Sequence, residues 1–305
     1  MTINGAYEAV IGNTAGEVRR SEPMSRHTSW RIGGPAALFA VAESLADLNR
    51  CTETFLGNDV PFTVVGKGTN LLVADEGYDG AVLVLGKEFR RHVIDEDHVR
   101  AGAGATLAAI VQDGFKAGLA GLAFGVGIPG TFGGALAMNA GTSEGCVGDA
   151  TRSITVFVPG EGLRRIRGAE VPWSYRSSGL DRLGIIVEAE LRVRPGDPLT
   201  TRAEMERFFK ERKESQPLNK PNAGSVFRNP EGDSAGRLID ACGLKGVRVG
   251  GAAVSDKHAN FIVNEGSATA SDVVALMRLV SEAVRRDHGI ELRPEIRFLG
   301  RFEEA

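Results

Sequence analysis

The chain has 305 residues, of which 42% are hydrophobic and 25% charged, and its formal net charge is -3. That balance is that of a packed globular protein and excludes disordered or fibrous chains, while the length points to two or three compact units. Without a basic block the charge offers no footprint for nucleic acid or an anionic membrane, and neither partner is expected.

After a polar N-terminal segment (residues 1–30), "RIGGPAALFAVAES" reads as a strand, and Ser44 caps a helix carrying Leu45, Leu48, Cys51 and Phe55 on one face. "PFTVVG" reads as a buried strand, "AVLVLG" as another, and "HVRAGAGA" as a strand entering a glycine turn. A helix with Leu107, Ile110, Val111 and Phe115 on one side follows. "SITVFVPGEGLRRIRG" is a hairpin turning at Pro159 to Gly162, and "GIIVEAELRVRPGD" a long strand ending at Pro195 to Pro198. The remainder has a charged helix from about Thr201 to Glu214, a loop from Gln216 to Asn222 and a short helix "SAGRLIDACG". Strands follow at "VRVGGAAVS" and "HANFIVN", then a helix capped by Ser271 and ended by Gly289, and a last strand "GIELRPEIRFLG". The expected division is 31–196 and 197–305.

Cys51, Cys146 and Cys242 are widely spaced, with no CxxC pair and no secretory signal, which fits a reducing, cytoplasmic setting. The histidines fall at no metal-ligand spacing, so no metal is expected. From Ala117 to Ser143 no residue is charged, long enough for a bilayer, yet eight glycines and Pro129 interrupt it. A buried glycine-rich wall is the better reading.

Two glycine clusters carry the functional signal. Gly66, Lys67, Gly68, Thr69, Asn70 and Leu71 follow a strand, where successive backbone N–H groups can turn toward one point and hold phosphate oxygens. Neither a Rossmann nor a P-loop pattern fits this loop, and a plain tight turn is an equal reading of it alone. The second cluster runs through Gly127, Ile128, Pro129, Gly130, Gly133 and Gly134 to Asn139, Ala140 and Gly141, more permissive backbone than a connecting loop needs.

Together the two segments resemble the pyrophosphate and isoalloxazine walls of the FAD domain found in vanillyl-alcohol oxidase (the PCMH type). The resemblance spans residues 31 to 195. Three further segments narrow it: "SYRSS" with Arg176, "NAGSVFRNP" with Ser225, and "RPEIRFLG" with Glu295. In order and local context they are similar to the catalytic positions of the UDP-N-acetylenolpyruvoylglucosamine reductase family. The resemblance implies an α+β fold, with a two-part FAD-binding domain followed by a smaller α/β substrate domain. It also implies non-covalent FAD, NADPH as hydride donor, and reduction of UDP-N-acetylglucosamine enolpyruvate to UDP-N-acetylmuramate for peptidoglycan. Arg176 and Glu295 would handle the substrate carboxylate and Ser225 would protonate carbon.

Softer matches place Arg228, Asn229, His258, Asn260 and Arg297 in the diphosphate and sugar pocket, with Arg228 where many relatives carry lysine. All three tyrosines, Tyr7, Tyr78 and Tyr175, precede Arg176, which matches the shorter, type II form of the family, with Tyr175 taking part of the substrate contact. His27 and Lys257 read as surface or packing residues. A monomer is expected. A flavin oxidase of the same superfamily and a catalytically silent nucleotide-binding module are the alternative readings.

Overall fold

The computed structural model describes residues 2–302. It has two compact units. The first comprises Met1–Arg20, Leu38–Gly66 and Gly80–Arg212, and the second Ser21–Ala37, Lys67–Asp79 and Lys213–Ala305. The boundary expected at 196/197 is therefore not where the contacts divide. The helix Pro198–Ser215 stays largely with the first unit, and two early segments join the second.

In the first unit a five-stranded antiparallel sheet runs in the order Gly162–Arg167, Thr151–Val158, Ile185–Arg192, His98–Gly102, His92–Ile94. The hairpin and the long strand read from sequence are its first three members. A four-stranded sheet orders Val18–Pro23, Pro35–Ala42, Tyr78–Leu85 and Phe62–Val64. Phe62–Val64 is its edge, so Phe62 and Thr63 are half-buried and Val64 is exposed, where the apolar run predicts full burial. A short apolar run cannot by itself distinguish a central from an edge strand. Ser44 caps the helix Leu45–Gly57 as expected, its hydroxyl accepting from Asp47 N at 3.1 Å. Thr106 caps Leu107–Lys116, whose Leu107, Ile110 and Val111 are buried in the core.

The uncharged stretch is built of short pieces: Leu119–Ala120, the turn Ala123–Gly125, the six-residue helix Phe132–Ala137 and the strand Gly141–Thr142. No helix among the described residues is long and apolar enough to cross a membrane.

The second unit is organised by an antiparallel sheet in the order Asn222–Ser225, Phe261–Asn264, Ala252–Val254, Arg248–Val249, packed on the helix Ala270–His288. Trp30 shows why residues 21–37 belong here. Its indole is fully buried in this core and donates to Ile262 O at 2.8 Å, and Asn264 Nδ2 returns a bond to Trp30 O at 2.9 Å. Residues 67–79 are held by Leu71–Val73, which pairs in parallel with Arg297–Leu299. The final strand is thus only three residues long, not the whole "GIELRPEIRFLG" run. Pro294 has no N–H to give a ladder, and its only pairing is an isolated bridge to Phe227.

The cap of Ala270–His288 also differs from expectation. Thr269, not Ser271, is the N-cap, and it forms a capping box with Asp272. Ser271 lies inside the first turn, where its hydroxyl and N–H both donate to Asp75, which also accepts from Ala270 N at 2.7 Å. Gly289 ends the helix at φ +70°, as read from sequence. Because the Asp75 carboxylate satisfies two N–H groups that the helix leaves open, Asp75→Ala should lower stability by about 1–2 kcal/mol in chemical denaturation, the range for a lost N-terminal cap.

Candidate active site

In the first unit Arg176 sits in a four-residue turn closed by Ser174 N to Ser177 O (2.9 Å) and Ser177 N to Ser174 O (3.2 Å). Its φ of +58° is left-handed, a conformation that costs a residue with a Cβ about 1–2 kcal/mol. The turn is held from below. Asn139, itself buried and at φ +43°, donates from Nδ2 to Ser174 O at 3.1 Å and accepts Gly148 N at 3.0 Å. Ser178, also buried, donates to Ala137 O at 3.1 Å. The Arg176 guanidinium reaches Gly141 O at 3.4 Å and stands 5.1 Å from the centre of the exposed Tyr175 ring. The expected pair Tyr175 and Arg176 is therefore one cation–π unit.

The glycines of the wall divide into two kinds. A Cβ on Gly133 would lie 2.9 Å from the Ala103 Cβ, and one on Gly141 would collide with Gly145 O, so these two serve close packing. Gly127 at φ +70° and Gly130 at φ +120° are different, since their N–H groups donate to no protein acceptor among the described residues. Exposed Pro129 and half-buried Ile128 stand between them, and Gly134 and Ala140 complete the wall. The first loop behaves likewise: Gly66, Lys67 and Gly68 donate to no protein acceptor. Gly68 at φ +58° also has no room for a side chain, because a Cβ would collide with His27 O. Bare donors on left-handed backbone suit the phosphates and flat ring of FAD. The residues present thus fit that group.

In the second unit Ser225 ends the strand Asn222–Ser225, after Gly224 at φ +77°, whose N–H the Asn222 side chain accepts at 2.9 Å. The Ser225 hydroxyl is half-buried and makes no hydrogen bond among the described residues. Glu295 is brought beside it, because Glu295 N donates to Val226 O at 2.8 Å and Arg228 N to Arg293 O at 2.8 Å. Asn70 joins the same edge, donating from Nδ2 to Glu295 O at 3.2 Å, while Arg297 N donates to Asn70 O at 3.0 Å. Thr69 and Leu71 flank it. Within this unit, then, Ser225, Glu295, Arg228, Arg297 and Asn70 are neighbours along one stretch of backbone pairing.

Three expected contacts have a different local role. Both ends of the buried Asn260 side chain are spent on Phe227, donating to its O at 2.8 Å and accepting its N at 3.0 Å, so Asn260 holds the Ser225 strand rather than facing outward. Asn229 accepts Ala235 N at 3.1 Å at the start of the helix Ala235–Ala241. His258 accepts Asn260 N through Nδ1 at 3.2 Å and packs 4.7 Å from the Phe261 ring. His27 reaches buried Glu22 at 3.0 Å, and Lys257 donates to Lys213 O, which accords with packing roles for both. Arg212 lies on the helix that the sequence marks only as charged, yet its Nε is buried with no hydrogen-bond partner among the described residues. The available signal was its spacing from Met205 and Phe208.

Comparison with known proteins identifies the class. Residues 36–164 match the model of an FAD binding domain, which makes this a flavin-dependent oxidoreductase. Residues 216–299 match the UDP-N-acetylenolpyruvoylglucosamine reductase C-terminal domain. UDP-N-acetylenolpyruvoylglucosamine reductase of Heliobacterium modesticaldum is 46% identical over 93% of this chain and 91% of its own, and that of Moorella thermoacetica is 46% identical over 93% and 94%. The crystal structure of the Thermus caldophilus reductase, 37% identical, superposes with a TM-score of 0.83 over 93% of this chain and 99% of that one. The chain belongs to the UDP-N-acetylenolpyruvoylglucosamine reductase family.

Two outcomes follow from this geometry. Asn139→Ala strands the Gly148 N–H, removes one of the two donors to Ser174 O and forces alanine into left-handed backbone, so it should cost about 2–3 kcal/mol in urea denaturation. Asn139→Gly, which accepts the backbone, should cost less. Burial, with Lys245 adding, pushes the His258 pKa below its ordinary 6.5. The folded form therefore binds that proton less readily than the unfolded chain. His258 thus costs stability as pH falls below about 6.5, and nothing above it. His258→Gln should flatten the loss of Tm between pH 7 and pH 5.

Proposed function

We propose that this chain reduces UDP-N-acetylglucosamine enolpyruvate to UDP-N-acetylmuramate with NADPH, supplying a peptidoglycan precursor. The observation that carries the reading is local: a serine hydroxyl with no protein partner ends a strand whose next residue is hydrogen-bonded to Glu295. A general acid should be free in this way, unspent on the protein and close to a carboxyl that can hold the substrate.

The residues that would hold FAD are the bare donors of Gly66, Lys67 and Gly68 and of Gly127 and Gly130. FAD held there would supply the hydride chemistry, linking NADPH to the terminal carbon of the enolpyruvyl group. Arg176 offers its fork of N–H donors to the substrate carboxylate from a backbone held in its left-handed turn. Charge that develops toward that carboxylate is met by a cation already in place. Glu295 hydrogen-bonds the same group. Ser225 gives its proton to the carbon beside the carboxylate, which a weakly acidic hydroxyl can do because the enolate is a strong base.

Arg228 and Arg297 supply cations for a diphosphate, and His258, kept neutral by burial, can donate from Nε2 without adding charge. The placing of Tyr7, Tyr78 and Tyr175 before Arg176 and the exposure of Tyr175 support the type II form. We place the enzyme in the cytoplasm as a monomer, because its nucleotide-sugar and NADPH are cytoplasmic metabolites and its surface charge is mixed.

The deciding experiment separates the half-reactions by anaerobic stopped-flow absorbance. In Ser225→Ala, NADPH should bleach the flavin at near the wild-type rate, since that step takes no proton from Ser225. Reoxidation by the enolpyruvyl substrate should slow by about a hundredfold to ten-thousandfold, the usual worth of a general acid. Equal slowing of both halves would make the hydroxyl an organising group, and slowing of neither would put the proton donor elsewhere.

A further inference from the structure

Arg212 occupies a position that an apolar side chain should fill. Along the helix Pro198–Ser215 the inward stripe is Met205, Phe208 and Arg212, at spacings of three and four. Phe208 is buried and Met205 packs against the core. Arg207 shows the ordinary alternative on the same helix, forking onto Glu144 at 2.7 and 2.6 Å and reaching Glu211 at 3.1 Å. Arg212 has no carboxylate. One guanidinium nitrogen donates to Val126 O at 3.3 Å, and its Nε is buried with no hydrogen-bond partner. An unmet charged donor of this kind is expensive to keep.

A second cation stands nearby. Arg176 is anchored on Gly141 O, the strand Gly141–Thr142 packs on the turn Ala123–Gly125, and Val126, the next residue, holds Arg212. The Arg212 stem crosses Gly127, where a Cβ would lie 3.1 Å from its Cδ, so glycine there makes room for it. Burial pushes the Arg212 pKa down, and the charge of Arg176 pushes it the same way. Like charges held close together are unfavourable, and an oxyanion arriving between them lowers that cost for both.

We propose that Arg212 is a second anion-binding residue beside Arg176, its Nε edge receiving the carboxylate of the enolpyruvyl substrate. This rests on the function proposed above. Hydride addition at the terminal carbon forms a C–H bond there and moves the π pair onto the carbon bearing the carboxylate. That pair delocalises into the carboxylate, which carries close to two negative charges until the Ser225 proton closes the second C–H bond. Two guanidiniums match that charge better than one, and the gain is larger after hydride transfer than before it.

The test uses the FAD-loaded protein as wild type, Arg212→Met and Arg212→Lys. Each is titrated with UDP-N-acetylmuramate, which carries the carboxylate, and with UDP-N-acetylglucosamine, which lacks it, by calorimetry or flavin absorbance. Arg212→Met should weaken UDP-N-acetylmuramate about ten- to hundredfold while leaving UDP-N-acetylglucosamine unchanged, and Arg212→Lys should fall between. In turnover, kcat as well as kcat/KM should drop for the enolpyruvyl substrate, whereas flavin reduction by NADPH should not. Equal weakening of both ligands keeps the anion site but assigns it to the diphosphate. Unchanged affinity for both, or loss of FAD alone from folded Arg212→Met and Arg212→Lys proteins, overturns the proposal. A wild type that binds neither ligand and does not consume NADPH with the enolpyruvyl substrate would instead sink the function proposed above.

Discussion

The left-handed turn at Arg176 is the constraint on which the chemistry proposed for the first unit depends. An arginine at φ +58° is held against its own preference, and it stays there only because its surroundings leave it no alternative. Asn139 and Ser178 supply that compulsion from buried positions, each bonding a carbonyl of the segments they join. The consequence is a cation whose position is fixed before any substrate arrives. Preorganisation of this kind is where electrostatic catalysis gains most, because no dipole or side chain has to be reoriented during the reaction.

A comparable economy operates around Ser225. The Asn260 side chain clamps Phe227, backbone pairing of Val226 with Glu295 and of Arg228 with Arg293 fixes the neighbouring carboxyl, and the serine hydroxyl is left with no task inside the protein. Polar groups thus fall into two sets. Asn260 is buried with its side chain fully paired, whereas the side chains of Ser225 and Arg228 are half-buried and make no hydrogen bond among the described residues. Asn260 and Arg228, both expected in the diphosphate and sugar pocket, land on opposite sides of that division.

Much of this was legible in the sequence, for reasons that can be located. Regular elements with strong local signals read well: the Ser44 cap, the hairpin at Pro159 to Gly162, and the Gly289 stop all depend on nearest neighbours. What depends on distant chain did not. The three-residue final strand is fixed by its parallel partner Leu71–Val73, and the capture of residues 21–37 by Trp30 joins positions more than two hundred residues apart. The proposed site residues rest on motif context, since no periodicity marks Arg176, Ser225 or Glu295. Arg212 escaped because a charged helix averages to solvent, and only the stripe it interrupts gives it away.

Glycine density is the clearest case of a signal that is right in sum and mixed in its parts. Gly133 and Gly141 are forced by neighbouring backbone or Cβ, and they would be glycine in a protein that bound nothing there. Gly68 answers both demands, with a colliding carbonyl behind it and a bare N–H in front. Gly127 and Gly130 are held in left-handed backbone while their N–H groups donate to no protein acceptor among the described residues, and although the Arg212 stem crosses Gly127, that packing does not call for a bare N–H. Unpaired donors in water are no penalty, but they are an investment only if something anionic or flat displaces that water. The ligand-binding content of a glycine-rich segment therefore lies in those glycines whose N–H groups remain free once the packing glycines are set aside.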